Sequence, residues 1–204
     1  MQLEYFKAKS ILDRYGIGSI DSRYVGNAAS AVKFASGKPI VLKVISDKAI
    51  HKSKAGLVRA QLTGSDEITG AYAELERKAR PLAPYRIIAQ KMAGQGVEII
   101  LGGREDPQFG KLVLLGLGGI YVEAFKDFAL RVCPITEYDA RDMIQQLRSR
   151  DVITHGGKAG PLLEQLLMKT SKLLHGSREI KELDLNPVII RADGYDVVDI
   201  RVLV

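Results

Sequence analysis

The chain of 204 residues has no tryptophan and a single cysteine, Cys133. One thiol excludes an internal disulfide and fits a reducing compartment, so a cytoplasmic location is expected. Apolar runs such as Val113-Leu114-Leu115 are far too short to span a membrane. The opening MQLEYFKAKS lacks the apolar core of a secretory signal. Repeats, low-complexity tracts and blocks of like charge are also missing. Acidic residues are outnumbered by basic ones, 24 against 30, which leaves a net charge of +6. That balance favours anionic partners: nucleotides, phosphorylated metabolites, nucleic acid or an acidic protein surface. Because the basic residues are scattered, only overall charge speaks for nucleic acid.

What is present suits one large domain or two small lobes with a real core. Leu3, Phe6, Ile11, Leu12 and Tyr15 fall on one helical face over 3–15, and Gly16 follows as a stop signal. A second helix is predicted over 27–35, then strands at 40–45 and 56–63. Ser65 is placed to cap a helix whose stripe is Ile68, Ala71, Tyr72, Leu75 and Ala79. Pro81 and Pro84 close that helix and mark a boundary, giving lobes 1–84 and 85–204. The second half reads as strands at 85–92, 97–102, 111–117 and 128–134. Thr136-x-x-Asp139 starts a helix with Ala140, Met143, Ile144 and Leu147 on its face. A leucine-rich helix spans 161–174, and two strands, 180–190 and 195–202, finish the chain. The stretch 154–160, Thr-His-Gly-Gly-Lys-Ala-Gly, reads as a mobile loop.

Chemistry concentrates first in 39–53, PIVLKVISDKAIHKS. A lysine inside an apolar strand, Lys43, is costly unless its ammonium reaches water or an anion. Either it snorkels at a strand edge or it meets an anion. His51 follows in a polar turn with Lys48, Lys52 and Lys54 nearby, a setting that favours a phosphoryl adduct on the imidazole. His155 lies in the glycine-rich stretch and His175 at a helix end, and the three do not form a zinc pattern. Gly116-Leu117-Gly118-Gly119 is either a tight turn or a close approach to phosphate. Arg131 is either an anion ligand or half of an ion pair.

The second concentration is the C-terminal hairpin. With Asp193-Gly194 as a two-residue turn, Asn186 stands opposite Arg201 and Val188 opposite Asp199. Asp199 is then a diagonal neighbour of Asn186. Alternation adds Glu182 and Asp184 to that face and turns Leu183, Leu185, Val198, Ile200 and Val202 inward. Such oxygen donors suit Mg²⁺, and the other reading is a solvated face with a surface ion pair. Pro187 points to a possible bulge.

In order and spacing, the motifs PIVLKVISDKAIHKS, DPQFG, GLGGIYVE, FALRVCPIT, KELDLNP and VVDIRVLV closely resemble the ATP-grasp (β) subunit of ADP-forming acetyl-CoA and acyl-CoA synthetases, relatives of succinyl-CoA synthetase. The resemblance covers nearly the whole chain. It implies an α+β ATP-grasp fold of two lobes with nucleotide between them. By the same resemblance Lys43 contacts phosphates, Gln90, Lys91 and Met92 line the adenine pocket, and Glu98 lies near the nucleotide. Asn186 and Asp199 hold Mg²⁺, and Arg131 and Arg201 match basic positions that stabilise phosphate. His51 is the relay that passes a phosphoryl group from a phosphohistidine on an α subunit to ADP. The α partner carries the CoA-binding and ligase domains. The implied net reaction converts acyl-CoA, ADP and phosphate to acid, CoA and ATP. The chain departs from the family pattern at Lys54, in place of an acid, and at Lys158, in place of an arginine. The alternative function is a non-catalytic ATP-binding regulatory module of a protein acyltransferase-type assembly.

Overall fold

The structure, a computed structural model, describes residues 1–48, 55–119 and 127–204. They form two compact units, Ile20–Met92 and Met1–Ser19 with Ala93–Val204.

In the unit Ile20–Met92, strands β1 (Ser22–Tyr24), β2 (Ile40–Ile45), β3 (Val58–Leu62) and β4 (Arg86–Lys91) form an antiparallel sheet in the order β1-β4-β2-β3. Helices α2 (Ala28–Ala35) and α3 (Gly64–Ala79) back it. Asn27 and Ser30 start α2 as a capping box, and Ser36 ends it in the left-handed region at φ 49°. The stripe read from the sequence of α3 is buried throughout: Ile68, Ala71, Tyr72, Leu75 and Ala79. Its start differs from expectation, because Ser65 lies inside the helix and Thr63 is the N-cap. The Glu67 carboxylate reaches back to accept from Thr63 N at 2.7 Å and Thr63 Oγ1 at 3.0 Å. A negative group there meets both a free N–H and the positive end of the helix.

The second unit carries a six-stranded antiparallel sheet. Its strands are β5 (Val97–Asp106), β6 (Gly110–Leu117), β7 (Phe128–Val132), β8 (Glu182–Arg191), β9 (Gly194–Val197) and β10 (Arg201–Leu203). They run β10-β8-β5-β6-β7, with β9 also on β8. Helices α4 (Glu137–Gln146) and α6 (Gly160–Gly176) pack on this sheet, and the short α5 (Arg150–Ile153) connects them. The capping box of Thr136 and Asp139 is present as read. Leu163, Leu166, Leu167, Leu173 and Leu174 of α6 are buried, each removing apolar surface worth roughly 2 kcal/mol. Helix α1 (Tyr5–Arg14) buries Tyr5, Ala8, Ile11 and Leu12, so its inner face is rotated from the expected one.

Two further expectations change. The boundary at residue 84 gives way to Ile20–Met92 as the first unit. Strand β4 hydrogen-bonds to β1 and β2, and the segment before α1 pairs with β10 through Leu3 N to Val202 O at 2.8 Å. Sheet partners, not prolines, decide membership. Residues 154–160, expected as a mobile loop, form a hydrogen-bonded turn. Thr154 Oγ1 donates to Arg150 O at 2.6 Å and accepts from Gly157 N at 3.1 Å. No described helix is long and apolar enough to cross a membrane.

Glu74 of α3 accepts from Arg59 Nε of β3 at 2.9 Å and pairs with Lys78 Nζ at 2.8 Å. The Arg59 hydrogen bonds, then Lys78, lower its pKa to about 2. A depressed carboxylate pKa stabilises the fold above the unfolded value and loses that contribution as pH falls through the folded one. Glu74 should therefore titrate near pH 2 by NMR, and Glu74→Gln should flatten the stability loss below about pH 4.3. A midpoint near 4 would refute this assignment.

Candidate functional site

Strand alternation divides β2 between two environments. Ile40, Leu42 and Val44 join the apolar layer of α2 and α3, with Ile87 and Ala89 of β4. Val41 and Lys43 take the opposite face. Lys43 pairs with Ile88, and Val41 with Gln90, which also pairs with Ser22 of β1. Lys43, Gln90 and Ser22 thus share one face. Lys43 is only 6% exposed and Gln90 fully buried. Because β2 is an interior strand, snorkelling at a sheet edge does not describe Lys43. Burying an ammonium costs several kcal/mol unless polar or anionic groups meet it.

Gln90, Lys91 and Met92 do not share one side of the sheet. Gln90 faces with Lys43, whereas Lys91 turns toward α2. Its Nζ donates to Phe34 O at 2.9 Å and lies 4.7 Å from the centroid of the Phe34 ring. A cation at the C-terminal end of α2 also complements that helix's dipole. Lys91 and Met92 line an open cavity of about 510 Å³ with Ser36, Lys38 and Pro39.

In the other unit, β8 organises the polar residues. Its pairing with β5 runs Ile99↔Val188 and then Leu101↔Leu185, so β8 carries one extra residue. This bulge contains Asn186-Pro187, as Pro187 suggested. On the other side of β8, Val188↔Val197 and Asp184↔Arg201 share one register. Carried between them, that register sets Asn186 directly opposite Asp199. This replaces the diagonal relation and the Asn186–Arg201 pairing expected from sequence. The turn is Ala192-Asp193, with Arg191 facing Gly194, and Gly194 is not among the residues with positive φ. Arg191 holds the turn instead, with Nη1 2.6 Å from Asp196 Oδ2 and Nε 3.7 Å from Asp193 Oδ1. The new register also buries Val197, Ile200 and Val202, leaving Val198 half-buried.

Asn186 is exposed and Asp199 half-buried. They offer an amide and a carboxylate oxygen, hard donors suited to Mg²⁺. No group of three or more His, Cys, Asp or Glu able to hold a metal occurs among the described residues. Magnesium bound together with a nucleotide would need few protein donors, since phosphate oxygens and water commonly supply the rest. Arg201 pairs with Glu182 at 3.3 Å. Arg131 is half of an ion pair with Asp142. His51 lies outside the described residues.

Glu98 is exposed on β5, and Gly118 N donates to its carbonyl at 2.8 Å. A Cβ on Gly118 would lie 2.9 Å from Glu98 O, while Gly119 has φ +71°. Close approach of the Glu98 and Ile99 backbone leaves no room for a side chain at Gly118. Sequence reasoning missed two polar features. Asp127 accepts from Arg148 N at 3.0 Å and Ser149 N at 2.9 Å. No local pattern announces a partner so distant. The Arg191–Asp196 pair did leave a signal, since opposite charges flank a predicted hairpin turn.

The whole chain, residues 1–204, matches the family described as ATP-grasp domain. It is 36% identical to the acetate–CoA ligase [ADP-forming] I subunit beta of Pyrococcus furiosus, over 97% of this chain and 89% of that one. It is also similar to solved structures of acetyl-coenzyme A synthetase 1 from Ca. Korarchaeum cryptofilum. The complex with coenzyme A, Ca-AMPCP and HgCl⁺ has a TM-score of 0.90 at 34% identity, covering 100% of this chain and 93% of that chain. A second has a TM-score of 0.84 at 34% identity, covering 100% of this chain and 92% of that chain. That one contains coenzyme A and Mg-AMPPCP, with its phosphohistidine segment pointing towards the nucleotide binding site.

Gly118→Ala should destabilise the protein by about 1–3 kcal/mol in denaturant unfolding, because the backbone of Glu98 and Ile99 must give. An unchanged midpoint would show that the segment relaxes freely.

Proposed function

The chain belongs to the ATP-grasp family, and we propose that it is the nucleotide-binding (β) subunit of an ADP-forming acid–CoA ligase. The likeness to the Pyrococcus furiosus β subunit, spanning nearly all of both chains, carries this reading. The subunit works with an α partner that holds the CoA and acyl chemistry in a hetero-oligomer. The solved structures compared hold nucleotide analogues, and one has a phosphohistidine segment pointing towards the nucleotide binding site. In the direction of ATP formation, a phosphoryl group passes from the partner's phosphohistidine to His51 and then to ADP. The bond from imidazole nitrogen to phosphorus breaks as the ADP terminal oxygen forms its own, and His51 returns to its free state.

Each candidate residue has a part in this. Lys43 neutralises phosphate charge from a fixed strand position. The segment Gln90–Met92 contributes to the base pocket, with Gln90 on the Lys43 face of the sheet and Lys91 turned to the other side, and Glu98 lies near the nucleotide. Asn186 and Asp199 bind Mg²⁺, which when bound offsets charge on the phosphates. Arg201 remains in the nucleotide-binding set through its match to a basic family position, although its guanidinium is shared with Glu182.

With ATP labelled at the γ-phosphate and Mg²⁺, the wild-type subunit should acquire label and His51→Ala should not. Equal labelling of both would remove the relay role. Asp199→Asn should raise the Mg²⁺ concentration needed for half-maximal labelling by about tenfold or more. An unchanged magnesium dependence would remove Asp199 from the metal site.

A further inference from the structure

Several groups converge where β8 ends. His155 Nε2 donates to Ile190 O at 2.9 Å. A Cβ on Gly96 would lie 2.4 Å from that same oxygen and 2.7 Å from Ile189 Cγ2. Residue 96 therefore has no room for a side chain. Arg191 Nη1 donates to Asp196 Oδ2 at 2.6 Å. The same carboxylate oxygen accepts from Gly94 N at 3.4 Å. The Arg191 stem lies over Gly94, where a Cβ would come within 3.3 Å of Cδ and 3.4 Å of Nε. The two side chains are 27% and 24% exposed, so the pair is partly shielded from water.

Gly94 and Gly96 lie between Met92 and the start of β5 at Val97. Two glycines in so short a link give the backbone many accessible states. The Arg191–Asp196 pair restrains that link at Gly94, through a long hydrogen bond to its N–H and contact with the arginine stem. The segment Gln90-Lys91-Met92 leads directly into this link.

We infer that Arg191 and Asp196 are positioning residues for the nucleotide: by gripping Gly94 they pre-order the chain that leaves the nucleotide-binding segment Gln90–Met92. Without the grip, nucleotide binding must supply the ordering of the link, and affinity falls by that amount. The inference rests on the nucleotide-binding role proposed for those residues. The competing role is a local staple of the β8–β9 hairpin, which would affect stability alone.

The test uses the chain assembled with its α partner and Mg-ADP as the probe. Arg191→Met and Asp196→Asn should each weaken Mg-ADP binding by about tenfold, with kcat at saturation held within about twofold. Both should speed amide exchange at Gly94, and Arg191→Lys should restore part of the affinity. Asp196→Asn removes the charge at constant volume, so it decides the matter if Arg191→Met fails to fold. A lowered melting temperature with unchanged Mg-ADP affinity would overturn the inference and leave the hairpin staple. If wild type itself fails to bind Mg-ADP, the proposed function falls and takes this inference with it.

Discussion

The register of β8 is the constraint on which the polar face depends. This strand pairs with β5 along one side and with β9 and β10 along the other. A slip by one residue would send every side chain to the opposite face. The protein uses a controlled version of that slip. Leu183 and Leu185 are buried before the bulge, and Val188 and Ile190 after it. Between them Asn186 is turned outward, opposite Asp199, while the buried pairs on either side keep the strand anchored. The apolar pairs Leu185 with Ile200 and Val188 with Val197 thus determine where two oxygen donors stand.

The other unit applies the same period-two logic to a cation. One face of β2 gives Ile40, Leu42 and Val44 to the helices. The other places Lys43 next to Gln90 in a buried setting. Its backbone is held by hydrogen bonds to both neighbouring strands, and its side chain is buried. In the proposed role toward phosphate, a charge carried on a fixed strand would need little reorganisation during reaction. As a relay, His51 would accept a phosphoryl group from one protein and deliver it to a nucleotide.

Ion pairs in this chain have different consequences according to their surroundings. Arg59, Glu74 and Lys78 join β3 to α3 and Arg131 joins β7 to α4, in arrangements that tie elements together. Exposed pairs of this kind contribute modestly and are weakened by salt. Arg191 and Asp196 also meet a backbone N–H on a glycine-bearing link, so the pair acts on chain freedom as well as charge.

The sequence by itself determined the element types, the α3 stripe, the Thr136 capping box and strand β2. These depend on periodicity and on contacts three or four residues apart. It also determined the family, since the ordered motifs run through the whole chain, and it marked Lys43, Asn186 and Asp199 as notable. Only the tertiary structure decided that β4 belongs with β1 and β2, that Lys43 is buried inside a sheet, and that Asn186 faces Asp199. Strand partners are chosen among distant segments, and local propensity is nearly blind to that choice. The hairpin shows the limit most directly: Asp193-Gly194 satisfied a local turn rule, yet Arg191 with its two carboxylate partners and the buried valine pair set a different register.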